Sequence, residues 1–235
     1  MQANRIFVGF DPRQFIAFTV LVASLIRHAK GAIDIYPLVL EHTPLKRVGL
    51  TPFTYSRFLV PRLCGYQGRA LFLDIDTMAR ADINELFAVA EGCYKVWVAK
   101  GPIKFEWPSV MLFNCNQCEE LTEDKVASAD GLHTLSWCTD SDIGDLPREW
   151  NHLVGYDPPN EAAKLVHFTQ GVPAFEETRD CEFSEEWHDN MRLANSTASW
   201  KELMGNSVHA VKIGNMALPK YKVDRLLATA GGIAQ

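Results

Sequence analysis

The sequence predicts an α/β fold, a mostly parallel central sheet with helices on both faces, and three observations carry that reading. A strand-like run, an amphipathic helix and a second strand-like run follow one another from residue 5 to residue 40, and a parallel pair joined by a helix demands a helix-covered sheet. The later strand candidates are short unbroken apolar runs, as strands buried on both faces must be. The length of 235 residues, with 47% apolar and 22% charged, suits one globular domain and excludes disordered, collagenous and coiled-coil classes.

Taken in order, residues 5–10 (Arg-Ile-Phe-Val-Gly-Phe) form the first buried strand. Asp11-Pro12 then opens a helix, because the aspartate side chain accepts from free N–H groups of the first turn and proline has none to lose. Apolar residues recur through 15–26, and the helix closes near His28 and Lys30 with Gly31 as its stop. A second strand spans 33–40, and a second helix covers 55–63, broken near Gly65. Gly68 precedes the third strand, Arg69-Ala-Leu-Phe-Leu73. A short helical piece at 83–87 and strands at 96–99 and 110–113 follow. The last third is less regular, with Trp137, Trp150, Trp187, the Pro158-Pro159 turn and the segment Leu165-Val-His-Phe-Thr-Gln-Gly-Val-Pro173. No internal repeat or low-complexity linker divides the chain, so residues 1–235 are read as a single domain.

The formal charge of −6 opposes a surface built to hold a polyanion. From residue 201 onward the balance reverses, with Lys201, Lys212, Lys220, Lys222 and Arg225 against Glu202 and Asp224. Six irregularly spaced cysteines read as reduced thiols, and Cys115-Asn-Gln-Cys118 is at most half a zinc site, since His133 and Cys138 lack finger spacing. No apolar run reaches the ~18 residues that cross a bilayer, and Met1 to Arg5 leads straight into a strand instead of a leader. The expected setting is cytoplasmic.

The chemistry concentrates at Asp74-Ile-Asp76, which the third strand delivers to the edge of the sheet where open α/β folds bind ligands. Two ionised carboxylates this close are costly unless a cation neutralises them. An oxygen pair suits Mg²⁺ or Mn²⁺, and such an ion in turn suits a diphosphate leaving group. Two enzyme classes end an apolar strand in this way. A haloacid-dehalogenase-like phosphatase would use Asp74 as nucleophile, but Met78 stands where that class carries Thr or Val, and a full strand–helix–strand unit comes before the motif.

The second class fits more of the chain. Tyr55-Ser-Arg-Phe-Leu-Val-Pro61, Gly68-Arg-Ala-Leu-Phe-Leu-Asp-Ile-Asp76 and Ala81-Asp-Ile-Asn-Glu-Leu-Phe87 resemble GT-A fold glycosyltransferases of family 8 and their bacterial and phage relatives. So do Ser109-Val-Met-Leu-Phe-Asn-Cys115, Leu146-Pro-Arg-Glu-Trp-Asn151, His167-Phe-Thr-Gln-Gly-Val-Pro173 and Asp180-Cys-Glu-Phe-Ser-Glu-Glu-Trp187, in consistent order. The resemblance implies a single Rossmann-like GT-A domain with a nucleotide-sugar-binding half (1–115), an acceptor-side half (116–200) and a basic tail (201–235).

It also implies transfer of a sugar from a nucleotide-linked donor, UDP-linked in most relatives, with retention and with Mn²⁺ or Mg²⁺. Asp74, Asp76 and His167 would be the metal ligands. The donor-binding set would be Phe10, Asp11, Arg13, Tyr55, Arg57, Asp74, Ile75, Asp76 and Gly171, with Phe15 an alternative base-stacking ring. Arg57 and Asp142 are the catalytic candidates, Asp142 standing for the acid that the family keeps near the reacting carbon. One departure is evident: Val172-Pro173-Ala174 occupies the place of the family's Lys-Pro-Trp, so Lys164 or Arg13 would have to supply the missing positive charge. The acceptor would be a glycan or a hydroxylated base in modified DNA, and a phage-encoded enzyme would act in the host cytoplasm. A non-catalytic nucleotide-sugar-binding module is the third reading.

Overall fold

The structure, a computed structural model, describes residues 3–205 and 207. The lysines and arginine of the basic tail from Lys212 to Arg225 lie outside the described residues. The chain divides into two compact units, residues 1–194 and 195–235. In the second, α7 (Trp200–Met204) is begun by a Ser199–Glu202 capping box; the first carries everything that follows.

Its elements run β1 (Asn4–Gly9), α1 (Phe15–His28), β2 (Ile33–Leu38), α2 (Phe53–Ser56), α3 (Val60–Leu63), β3 (Arg69–Leu73), β4 (Thr77–Ala79), α4 (Asn84–Val89), β5 (Val96–Val98), β6 (Val110–Asn114), α5 (Glu123–Ser128), β7 (Ile143–Asp145), β8 (His152–Leu153), β9 (Leu165–His167) and α6 (Ser184–Ala194). The main sheet has the order β2-β1-β3-β6-β5-β7. The pairs β2–β1, β1–β3 and β5–β7 are parallel, and β6 alone runs against its neighbours β3 and β5. The sheet is therefore mostly parallel, as the strand–helix–strand opening requires. A smaller sheet, β4-β9-β8, stands beside it.

Alternation along the strands explains why helices cover both faces. Ile6, Val8, Leu71, Leu73, Trp97 and Leu112 pack on one side with Leu21 and Leu25 of α1 and Leu86 of α4. Phe7, Ala70, Phe72, Val96, Val98, Met111 and Phe113 pack on the other with Phe53 of α2, Phe58, Val60 of α3 and Val126 of α5. Fully burying each large apolar side chain contributes about 1.5–3 kcal/mol, and the charged residues Arg5 and Arg69 stand near the starts of β1 and β3, ahead of the buried positions.

The helix expected over 55–63 is segmented into α2, a 3-10 turn at Arg57–Leu59 and α3. Pro61, in the first turn of α3, has no N–H to continue the preceding hydrogen-bond ladder. Likewise Asp11 caps a 3-10 turn, Pro12–Gln14, ahead of α1 and not α1 itself. All six cysteines are free, with Cys115 and Cys118 buried. No helix among the described residues is long and apolar enough to cross a membrane.

Candidate active site

Three parallel strands, β1, β3 and β5, end on the same edge of the main sheet, and the chain leaves β3 there as Asp74-Ile75-Asp76. It turns at once into β4, with Thr77 Oγ1 donating to the Asp74 carbonyl at 2.8 Å. The partner of β4 is β9, antiparallel and in the register Thr77↔His167. Phe168 N donates to Asp76 O at 2.9 Å and closes this ladder. Residues far apart in sequence thus converge: one ligand atom from each of Asp74, Asp76 and His167 lies within 4.8 Å of the others.

Asp74 and His167 are buried, at 8% and 2% exposure, and Asp76 is half-buried. Arg57, on the 3-10 turn after α2, reaches Asp74 with Nη2 at 3.0 Å from Oδ1 and Nη1 at 3.3 Å from Oδ2. Its remaining donors go to the carbonyls of Pro108 and Phe53, at 2.8 and 3.2 Å, and its guanidinium lies 4.8 Å from the centre of the Phe72 ring. Burial pushes the Asp74 carboxyl up to about 6; Arg57 opposes that rise and the Asp76 charge adds to it. For His167 burial favours the neutral ring, but Asp76, Asp74 and Glu106 together outweigh it and hold the imidazole above its ordinary value. His167 Nε2 lies 3.4 Å from Asp76 Oδ1.

These residues fit a divalent cation. Asp74 Oδ1 and Asp76 Oδ1 are both closed off from solvent without a well-formed hydrogen bond, a condition that costs free energy unless another positive partner is present. Two carboxylate oxygens and an imidazole nitrogen form a donor set that hard and borderline divalent ions accept.

The triad opens into a cavity of about 440 Å³. Arg57, Glu106, Ser109 and Thr169 surround the acids; Gln14, Thr51, Thr54, Tyr55 and His133 line the walls; Leu50, Phe105 and Tyr156 stand exposed at its mouth. Gly49 sits where the wall passes Thr54 so closely that a Cβ would lie 2.4 Å from the threonine side chain. Glu106 accepts from Thr169 Oγ1 at 3.1 Å and from Ser109 Oγ at 3.3 Å. Burial lowers the His133 pKa to about 4, with Arg57 adding to the effect, so the ring is neutral at pH 7.

Of the residues singled out from the sequence, Tyr55, Arg57, Asp74, Asp76 and His167 line this cavity. The others do not. Asp11 is buried and bound to Arg13, whose Nη2 lies 2.6 Å from its Oδ2 and holds its carboxyl below the ordinary range. Their neighbour Gln14 is the one from that turn that reaches the cavity. Phe10 packs edge-on against Phe15 and Phe18, and Ile75 lies in the core. Gly171 adopts φ +122°, with the Phe175 ring 3.1 Å from where a Cβ would stand; its requirement is backbone shape. Asp142 precedes β7, which runs parallel to β5, so it lies at the opposite edge of the sheet from Asp74. There it forms a capping box with Thr139. Lys164 pairs with Glu85, and neither Lys164 nor Arg13 lines the cavity.

Sequence reasoning passed over Glu106, Ser109, Tyr156, Thr169 and Gln14, and weighed His133 only against zinc-finger spacing. Each is an ordinary polar or aromatic residue in an irregular segment, and no spacing marks it. Only Ser109 and Thr169 fell inside quoted motifs, without a role.

No protein-family model matches the chain. Among solved structures it is similar to apo WbbM, a bifunctional glycosyltransferase, at 18% identity and a TM-score of 0.59 over 90% of this chain and 51% of that one. It is similar also to the glycosyltransferase GlyE of Streptococcus pneumoniae TIGR4, at 16% and 0.62 over 85% and 62%. The galactosyltransferase LgtC, solved with donor and acceptor sugar analogs, matches at 12% and 0.56 over 84% and 99%. The chain spans about half the length of WbbM and less than two thirds of GlyE. These likenesses establish the GT-A glycosyltransferase fold. Protein CDI of Arabidopsis thaliana is 32% identical over 227 residues, covering 81% of this chain and 87% of that protein. With so much of both chains aligned, the protein belongs to the family of Protein CDI, built on a GT-A fold.

Proposed function

We propose that the protein is a metal-dependent glycosyltransferase that moves a sugar from a nucleotide-sugar donor, UDP-linked, to an acceptor hydroxyl with retention of configuration. The observation that supports this reading above all is the convergence of Asp74, Asp76 and His167 at the head of a 440 Å³ cavity on a GT-A fold. A divalent ion held by these three, Mn²⁺ in preference to Mg²⁺ because of the imidazole, would supply charge neutralisation for the departing diphosphate.

The chain's own residues then position the donor. Arg57 keeps Asp74 ionised and aimed. Gln14, Tyr55, Thr51 and Thr54 offer hydrogen-bonding groups for the nucleoside and sugar hydroxyls. Phe53 in the wall and the exposed rings of Phe105 and Tyr156 at the mouth offer apolar surface to a bound donor. Among the described residues lining the cavity, three carboxylates (Asp74, Asp76, Glu106) face one guanidinium (Arg57), a formal −2 with neutral histidines. A diphosphate cannot settle there unaided, so donor binding depends on the cation. The role of the protein is orientation and electrostatics, the terms that dominate transfer reactions of this kind. The proposed acceptor is a glycan hydroxyl.

A phosphatase role for Asp74 is not favoured by its surroundings, because both of its oxygens face Arg57 and the carboxyl is buried. Calorimetric titration of UDP in the presence and absence of Mn²⁺ tests the proposal. Binding that requires Mn²⁺ and disappears in Asp76→Ala is the expected result; metal-independent binding, or none, overturns it. Release of free sugar from a UDP-sugar without acceptor separates a working transferase from a non-catalytic binding module.

A further inference from the structure

His167 has two ring nitrogens, and they face different partners. Nε2 points at the acidic pair, 3.4 Å from Asp76 Oδ1, while Nδ1 lies 3.2 Å from Asn151 Oδ1. Asn151 is completely buried, and its Nδ2 donates to the backbone carbonyl of Glu106 at 3.1 Å. A carbonyl oxygen can only accept, so the Glu106 carbonyl decides which end of the Asn151 amide is the NH₂. The other end, Oδ1, is then an acceptor, and the atom it meets must bring the proton. His167 Nδ1 therefore carries a hydrogen in either charge state, and in the neutral ring the Nε2 lone pair is directed at Asp74 and Asp76.

The carboxylate of Glu106 does not compete for that hydrogen. It is engaged by Thr169 and Ser109, and its nearer oxygen lies 4.0 Å from Nδ1. The parts of this relay come from two separate 3-10 turns, Lys104–Ser109 and Arg148–Asn151, the second packed against β9.

We propose that Asn151 is a positioning residue that holds His167 in the Nδ1–H tautomer and so commits Nε2 to the divalent ion, an inference that rests on the metal reading above. The opposite tautomer would aim an N–H at the ion and remove one of its three protein ligands.

The test is Mn²⁺ affinity, read from the free-ion electron paramagnetic resonance signal of the full chain, with thermal unfolding as the check on folding. Asn151→Ala is expected to weaken Mn²⁺ binding by about 10–100-fold. Asn151→Leu fills a similar volume but offers Nδ1 no acceptor, so it is expected to bind Mn²⁺ as weakly as Asn151→Ala, whereas a merely space-filling role would restore the affinity. Should Asn151→Ala fail to fold, long-range ¹H–¹⁵N spectra of the Mg²⁺-loaded wild type, with the His167 signals assigned by their loss in His167→Gln, read the tautomer directly. A folded Asn151→Ala protein with unchanged Mn²⁺ affinity overturns the proposal, as does an Nε2–H signal for His167. Failure of the wild type to take up Mn²⁺ at all removes the metal reading itself; weakened uptake confined to the Asn151→Ala variant supports both.

Discussion

At the scale of single residues, the site turns on how Arg57 and Asp74 share a buried space. The carboxyl is raised to about 6 by burial even with the guanidinium beside it. Removing the cation would leave an isolated acid in the core. Arg57→Ala is therefore expected to destabilise the fold by about 3–5 kcal/mol, the cost of breaking a buried pair from one side, measured by urea unfolding at neutral pH. Arg57→Lys keeps the charge but cannot serve Asp74, Pro108 and Phe53 with one planar group, so it should fall between the two. The same protonation equilibria shape metal uptake. A cation takes only the ionised Asp74 and the unprotonated Nε2 of His167, and the pKa of both groups is raised. Protons thus compete more strongly as pH falls through 6, and Mn²⁺ affinity should climb from pH 5 through neutrality. Titrations at three pH values across that range check the sign; a flat profile would mean that the ligands are already proton-free.

At the scale of elements, what could be read from the sequence and what could not differ by the range of the interaction. The strands β1, β3, β5 and β6 were legible because each holds a short apolar run, β2 because it completes the strand–helix–strand unit, and Asp74-Ile-Asp76 because β3 ends there. The strands β4, β8 and β9 have two or three residues each, too few for a periodic signal, and their meaning lies in the Thr77↔His167 register, a long-range pairing. His167 was found by resemblance to a known motif; no local pattern identifies it. Asp142 shows the converse limit. Its acidic neighbourhood was visible, but whether it meets the start or the end of a strand is decided by the direction of β7 within the sheet. Asp142→Ala is expected to leave Mn²⁺-dependent UDP binding unchanged while loosening the turn that it caps, a contrast that calorimetry and thermal unfolding together resolve. Gly171 belongs at this scale too. In its left-handed backbone any side chain is strained, so Gly171→Ala should cost ~1 kcal/mol or more and disturb the turn that follows His167.

Within the first unit, the two sheets share core clusters and converge at the site: the acids follow the last strand residue of the six-stranded sheet, and the imidazole ends the central strand of the three-stranded one. A cation shared by Asp74, Asp76 and His167 therefore ties the two sheets, and the unfolded chain has no such preformed site. Linkage then requires that the cation stabilise the folded state in proportion to the logarithm of its concentration over its dissociation constant. At a hundredfold excess over that constant the gain is about 2.7 kcal/mol, which for a domain of this size raises the melting temperature by roughly 5–10 °C. The rise should be lost in His167→Ala and in Asp76→Ala, each of which removes a ligand, and should persist in Asp142→Ala, which removes none. Equal melting temperatures with and without Mn²⁺ in the wild type would mean that the two sheets are held by packing alone and that the acids and the imidazole share no ion.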